Sequence, residues 1–217
     1  MQIFDYHPPA IPWLDIRYVD DDMIVISKPS GLLSNPGRAA VTHDCALTRL
    51  QQRYPEAILV HRLDCATSGI MVFARHKQAE SWLKTQFQDR LSEKVYIAEV
   101  SGHFPQAKGT INLPLLPDPD KRPLQKIDEK GKSAITDFRV LAHRPDSTLM
   151  QLTPHTGRTH QLRVHMLAMG HVILGDDFYG DANCIQARPR LCLHAQQLSI
   201  RHPKTQQLMV FTSSHPF

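Results

Sequence analysis

A single carboxylate set between basic and small residues is the first place in this sequence where chemistry could reside. In His61-Arg62-Leu63-Asp64-Cys65-Ala66-Thr67-Ser68-Gly69, Asp64 closely follows an arginine and precedes the apolar run Ile70-Met71-Val72-Phe73-Ala74. A short polar loop at the mouth of a strand can keep such a carboxylate ionised and aim it at a substrate. Taken alone, the string also fits a structural reading in which Asp64 caps a turn or pairs with Arg62. A second candidate is Glu93-Lys94-Val95-Tyr96, where strand alternation puts Lys94 and Tyr96 on one face. Tyr96 there could stack on a planar ring and offer its phenol as acid or base. The plain alternative is a half-buried strand tyrosine with its hydroxyl at the surface. The third is Pro154 to His165, which holds Arg158, Arg163 and three histidines but no acidic residue. A helix start with free backbone N–H groups and added cations is a natural anion site, and its plain alternative is a helix start with solvated basic residues. A metal reading is poorer, because histidines five apart do not share a helix face. Gly170 to Gly180 is a glycine-bounded loop that either lines a cleft or simply connects.

The elements that must position these residues alternate between strand and helix, without an internal repeat or a low-complexity linker. Met23 to Ser27 reads as a buried strand ended by the turn Lys28-Pro29-Ser30-Gly31, and Asp44 to Arg53 as a short helix closed by Pro55. Lys77 to Arg90 sets Ala79, Trp82, Leu83 and Phe87 on one face of an amphipathic helix. Strands are expected at Lys94 to Val100, Thr110 to Leu115, Ala134 to Ala142 and Thr148 to Leu152, the last two joined by the turn Arg144-Pro145-Asp146. Asp118 to Lys132, polar and flanked or interrupted by Pro117, Pro119 and Pro123, reads as a mobile surface excursion. A helix from about Thr159 to Met169 stops at Gly170, and strands near Leu191 to Arg201 and Leu208 to Thr212 close the fold. The expected class is α+β, with a mixed, mainly antiparallel sheet flanked by helices and loops.

With 217 residues, 41% of them hydrophobic and 21% charged, the chain can bury one substantial core and is neither disordered nor membrane-spanning in composition. No apolar run approaches the roughly 18 residues of a membrane span, and Met1 to Asp5 lacks the pattern of a signal peptide. A cytoplasmic protein is expected. Cys45, Cys65, Cys184 and Cys192 form no Cys-x-x-Cys pair, so four reduced thiols are expected. Net charge is +4, divided as −2 over residues 1–60, +3 over 61–149 and +3 over 150–217. This distribution permits a positive face suited to a polyanion without requiring one.

His61-Arg62-Leu63-Asp64 and Asp177-Phe178-Tyr179-Gly180 are superficially like kinase signatures, but the residue order is wrong and no glycine-rich nucleotide loop precedes them. A nucleophile elbow, a Walker loop and a dinucleotide fingerprint are also missing. In order and spacing, the strings resemble the RluA-type pseudouridine synthases of RNA, in the compact branch with dual ribosomal RNA and tRNA specificity. The resemblance rests on Lys28-Pro29-Ser30-Gly31-Leu32, His61-Arg62-Leu63-Asp64 with Thr67-Ser68-Gly69, Lys94-Val95-Tyr96, Thr156 to His165, and Gly170 to Gly180. It extends from about Tyr18 to the C-terminus. Val172 stands where the family usually has proline.

The resemblance implies a pseudouridine synthase fold with a central catalytic cleft, carried by one catalytic domain over residues 1–217 without a separate N-terminal RNA-binding domain. It implies a substrate in structured RNA, either 23S ribosomal RNA, the tRNA anticodon stem-loop or both. Asp64 would either attack the ribose anomeric carbon or remove a sugar proton to give a glycal. Arg163 would be its salt-bridge partner, and Tyr96 would stack on the uracil and is the candidate base for the proton on carbon 5. The target base must leave the RNA stack; Arg62 would fill the space, while Lys94 and Arg158 would contact phosphates. No metal or other cofactor, no membrane and no second subunit is implied. Two rivals differ in class: an inactive RNA-binding chaperone, which would not need Asp64 and Tyr96 together, and a nucleoside or glycoside hydrolase, which would want a second acid or a metal cluster.

Overall fold

A computed structural model describes residues 6–217; Met1 to Asp5, where no signal peptide is expected, lie outside the described residues. The chain begins with β1 (Asp15–Val19), β2 (Met23–Lys28), α1 (Ala46–Gln51), β3 (Ile58–Leu59), β4 (Ser68–Ala74) and α2 (Lys77–Gln88). It continues through β5 (Glu93–Ser101), β6 (Lys108–Asn112), β7 (Leu115–Pro117), β8 (Gln125–Ile127), β9 (Ile135–His143) and β10 (Ser147–Pro154). Then come α3 (Gln161–Ala168), α4 (Ala182–Gln186), β11 (Leu193–Arg201) and β12 (Leu208–Thr212). Two compact units emerge: one runs to Ser92 and adds Gln197–Ser214, and the other comprises Glu93–Gln196 with His215–Phe217.

In the first unit β2 pairs antiparallel with β1 and β4, and β3 and β12 pair antiparallel with β4 and β11. The register sets Ser27 opposite Ile70 and Lys28 opposite Gly69, so the Lys28 turn and the Asp64 loop meet at one end of the β2–β4 pair. β4 is buried along its whole length, which is why it reads as an unbroken apolar run rather than an alternating one. Met23, Val25, Ile70 and Val72 join Ala79 and Leu83 of α2 and Leu198 and Ile200 of β11 in one core cluster. On α2, Phe87 packs against the same cluster, and Gln86 is buried as well, its amide hydrogen-bonding the backbone of Arg201 in both directions.

The second unit is built on the antiparallel order β5-β10-β9-β6. Cross-strand partners share a face, so Tyr96, Leu152, Phe138 and Gly109 line one side, and Ile97, Gln151, Arg139 and Lys108 the other. The segment Asp118 to Lys132, expected as a mobile surface excursion, contains no buried residue but is braced by the ribbon β7–β8 and by a bridge from Leu115 to Lys132. Leu115 and Ile127 supply the reason: both pack with Ala134, Val164 and Tyr179, and burial outweighs the polar, proline-rich composition. The expected strand Thr110 to Leu115 is divided between β6 and β7. The four cysteines are free thiols.

Candidate active site

The loop carrying Asp64 is fastened from below by side chains of the preceding strand and turn. Lys28 is 1% exposed, and its ammonium donates to the carbonyls of Leu32 at 2.6 Å, Pro29 at 2.9 Å and Cys65 at 3.0 Å. Gly31, at a φ of +82° that suits glycine, donates its N–H to the same Cys65 carbonyl at 2.9 Å. The hydroxyls of Ser30 and Ser34 donate to the carbonyls of Ala66 and Leu63, each at 2.6 Å. The Leu63 N–H returns a bond to Ser34 Oγ at 3.1 Å. Loop carbonyls on both sides of Asp64 are therefore satisfied by buried donors, Ser34 for Leu63 and Lys28 for Cys65, which fixes the backbone there. Asp64 itself is half-buried and Arg62 exposed. His61 stacks on Phe87 at 4.5 Å, and its Nε2 accepts the Val72 N–H at 3.0 Å, tying the start of the loop to β4 and α2.

Tyr96, Lys94, Arg158 and Arg163 belong to the second unit. Tyr96 is half-buried on β5. Lys94 is half-buried too, and burial holds its pKa below the ordinary lysine value; its ammonium lies 3.9 Å from where a Cβ on Gly157 would stand. The structure thus brings Lys94 to the Gly157-Arg158 turn, as two separate sequence strings did not indicate. Arg158 donates through Nε to the Ser133 carbonyl at 3.0 Å, and its own N–H is taken by Gln161 Oε1 at 3.0 Å. That amide oxygen also accepts from Thr156 Oγ1 at 2.7 Å. The helix begins at Gln161 rather than Thr159, after His160 at a φ of +54°, and the N–H of Gln161 at its start is already taken by the Arg158 carbonyl at 3.1 Å. The three histidines go to different surroundings: His155 pairs with Asp137 at 2.6 Å, His160 with the Tyr179 hydroxyl at 2.7 Å, and His165 lies between Thr136 and the Leu113 carbonyl. Burial lowers the pKa of His165.

Arg163 is 2% exposed and forms a two-pronged pair with Asp176, Nε to Oδ2 at 2.8 Å and Nη2 to Oδ1 at 2.5 Å. Sequence reasoning found Arg163 but not Asp176. Its burial makes a basic partner necessary, but that burial and the partner 13 residues away show only in the fold.

Asp20, Asp22 and His202 form the one group of potential metal ligands among the described residues, with ligand atoms within 4.8 Å of one another. These atoms are engaged otherwise. His202 Nδ1 accepts the N–H groups of Lys204 and Thr205, which leaves the proton on Nε2 for Asp20 Oδ2 at 2.7 Å. Asp20 also accepts from Tyr18 and from the N–H groups of Asp22 and Met23. The cluster is a hydrogen-bonded staple between the β1–β2 turn and the loop after β11.

An α+β fold with these motifs defines a class, and comparison with known proteins names it: the chain belongs to the RNA pseudouridylate synthase family, whose model matches residues 22–168. It is therefore an isomerase that converts uridine in RNA to pseudouridine, and the inactive RNA-binding module gains no support. Over 219 residues, it is 48% identical to the dual-specificity RNA pseudouridine synthase RluA of Pasteurella multocida (strain Pm70) and 49% identical to that of Escherichia coli (strain K12), with all of each chain covered. Among solved structures it resembles human RNA pseudouridylate synthase domain containing 1, with a TM-score of 0.82 and 30% identity over 97% of this chain and 87% of that one. Human RNA pseudouridylate synthase domain containing 4 gives a TM-score of 0.75 and 26% identity, covering 93% and 88% of the two chains.

Proposed function

We propose that this chain acts on uridines of structured RNA, in 23S ribosomal RNA, the tRNA anticodon stem-loop or both, with Asp64 as the residue that works at the ribose anomeric carbon. The dual specificity in the names of its relatives supports the substrate class. The observation that carries the role of Asp64 is the hydrogen-bonded scaffold of its loop: Lys28, Ser30 and Ser34 hold the loop backbone, and Asp64 stands on it as a half-buried residue. A fixed backbone under a reachable carboxylate is what a nucleophile or a sugar-proton base requires.

In this reading Asp64 either attacks the anomeric carbon, releasing uracil from ring nitrogen 1, or takes a sugar proton to give a glycal. The uracil turns, carbon 5 joins the anomeric carbon, and the proton on carbon 5 leaves. Water has no part in the productive path, so a second carboxylate to activate it is unnecessary, unlike in glycoside hydrolysis. Tyr96 stacks on the ring and serves as the candidate base for the last proton, directly or through a water. Arg163 supports the catalytic carboxylate. Arg62, exposed beside Asp64, takes the place of the flipped base, while Lys94 and Arg158 meet phosphates. The whole chain works as one catalytic domain and as a monomer in the cytoplasm, without a metal or other cofactor.

Tritium release from RNA labelled at carbon 5 of uridine tests the assignment, with total tRNA and unmodified 23S transcript assayed separately. Asp64→Asn should bind RNA like the wild type and lose turnover by at least about 10⁴-fold, because the nucleophile or base is gone. Substantial residual release would remove Asp64 from the mechanism, and release from one RNA alone would name the substrate.

A further inference from the structure

Asp176 is fully buried and receives four donors. Two are from Arg163, at 2.8 and 2.5 Å, and two are the backbone N–H groups of Phe178 and Tyr179, which reach Oδ1 at 3.0 and 3.1 Å. The rings of Phe178 and Tyr179 lie 4.8 and 5.3 Å from the guanidinium carbon of Arg163, within cation–π range. The Tyr179 hydroxyl in turn accepts the Gln125 N–H at 2.9 Å and pairs with His160 at 2.7 Å. This anchors the loop to β8 and to the start of α3. Ahead of Asp176, Gly175 has a φ of +74°, and a Cβ there would stand 1.9 Å from the Arg190 carbonyl oxygen. No other residue fits that turn.

Stability alone does not account for such a pair. Burying an arginine and an aspartate costs desolvation that their attraction only offsets, and apolar replacements are often as stable. What four donors around one carboxylate do supply is direction. With Nε and Nη2 held by Asp176, the plane of the rigid guanidinium fork is fixed, and its remaining N–H groups leave it at set edges.

We propose that Asp176 is a positioning residue for the isomerisation: it sets the orientation in which Arg163 supports the catalytic carboxylate. The proposal rests on the role given to Arg163 above. Asp177, whose side chain is 62% exposed and which reaches Nη2 only at 3.2 Å, does not share it.

Single-turnover tritium release at saturating RNA, with RNA affinity measured by filter binding, tests the proposal on the full chain. Asp176→Asn should slow release by about 100-fold, the scale on which misplacing a reacting group by about 1 Å acts, while RNA affinity changes less than about threefold. Asp177→Asn should stay within about threefold of wild type in rate. The decisive measurement is the double-mutant cycle: in an Arg163→Lys background, adding Asp176→Asn should cost less than about threefold, because the fork it orients is already gone. An Asp176→Asn enzyme with the wild-type rate, or one that loses the same factor in both backgrounds, overturns the proposal. If Asp176→Asn does not fold, Asp176→Glu keeps the charge and moves it by one methylene; a full rate there overturns the proposal, and a slowed rate with normal RNA affinity upholds it. A wild type that releases no tritium from either RNA overturns the synthase reading and this proposal with it, whereas an active wild type beside an unaffected Asp176→Asn overturns the proposal alone.

Discussion

A carboxylate that must act on a sugar carbon has to be held still and left reachable, and one hydrogen-bond network rarely does both. Here the work is divided between neighbouring residues. Buried Lys28 holds the Cys65 carbonyl and buried Ser34 the Leu63 carbonyl, one on each side of Asp64. The same division predicts what Tyr96 does. Its ring can stack on uracil with or without the phenol, so Tyr96→Phe should bind RNA within about threefold of wild type yet slow tritium release by about 100-fold, the lower range of general-base contributions. A wild-type rate in Tyr96→Phe would leave stacking as its whole role. Asp64, Tyr96 and Arg163 become candidates from the sequence because their strings, in order and spacing, resemble those of the family; residue type alone left a structural reading open for each. Lys28, Ser34 and Asp176 do not. Their significance lies in partners 37, 29 and 13 residues away in the chain, which local spacing does not reveal.

At the scale of elements, the hairpin β9–β10 was readable from its turn residues and β4 from its apolar run, because local chemistry and tertiary environment agree there. The ribbon β7–β8 was not readable, since a few apolar residues packed on α3 override the composition of the whole segment. A further element-level tie was hidden in β5. Glu99, fully buried, gathers Ser147 at 2.5 Å, Arg188 at 2.6 Å and Arg144 at 2.9 Å, while its backbone bonds Leu174 and Cys192. Burial alone would push this carboxyl up, but the hydrogen bonds from Arg188, Ser147 and Arg144 outweigh it and hold the pKa below the ordinary glutamate value of 4.5. A folded-state pKa below the unfolded one means stability that is present above about pH 4.5 and lost as the pH falls through the folded value. Urea unfolding should therefore show the protein weakening below about pH 4.5. Glu99→Gln should be less stable by about 1–3 kcal/mol at neutral pH, with a shallower decline in acid. An unaltered acid profile in Glu99→Gln would assign the decline to other lowered carboxyls, such as Asp20 and Asp44.

For the whole molecule the question is how a chain of net charge +4 grips a polyanion. That charge is modest, and the first 60 residues are net acidic, so affinity cannot come from a uniformly positive surface. In the proposed reading it comes from a few cations that meet the RNA, for which Arg62, Lys94 and Arg158 are the candidates. Burial already depresses the pKa of Lys94, which therefore gains more from meeting a phosphate than a fully solvated lysine would. If Lys94 and Arg158 each neutralise one phosphate of an opened loop, the logarithm of the binding constant should fall against the logarithm of salt concentration with a slope of about −1.4, at about −0.7 per contact. Replacing Lys94 or Arg158 by glutamine should flatten that slope by about 0.7 each, on every RNA tested, because phosphates carry no sequence information. Arg62 should behave differently. A residue that fills the space of a flipped base helps the base stay out, so Arg62→Ala should lower the rate at saturating RNA as well as the affinity. A slope near zero for the wild type would mean that shape and stacking, rather than charge, select the RNA.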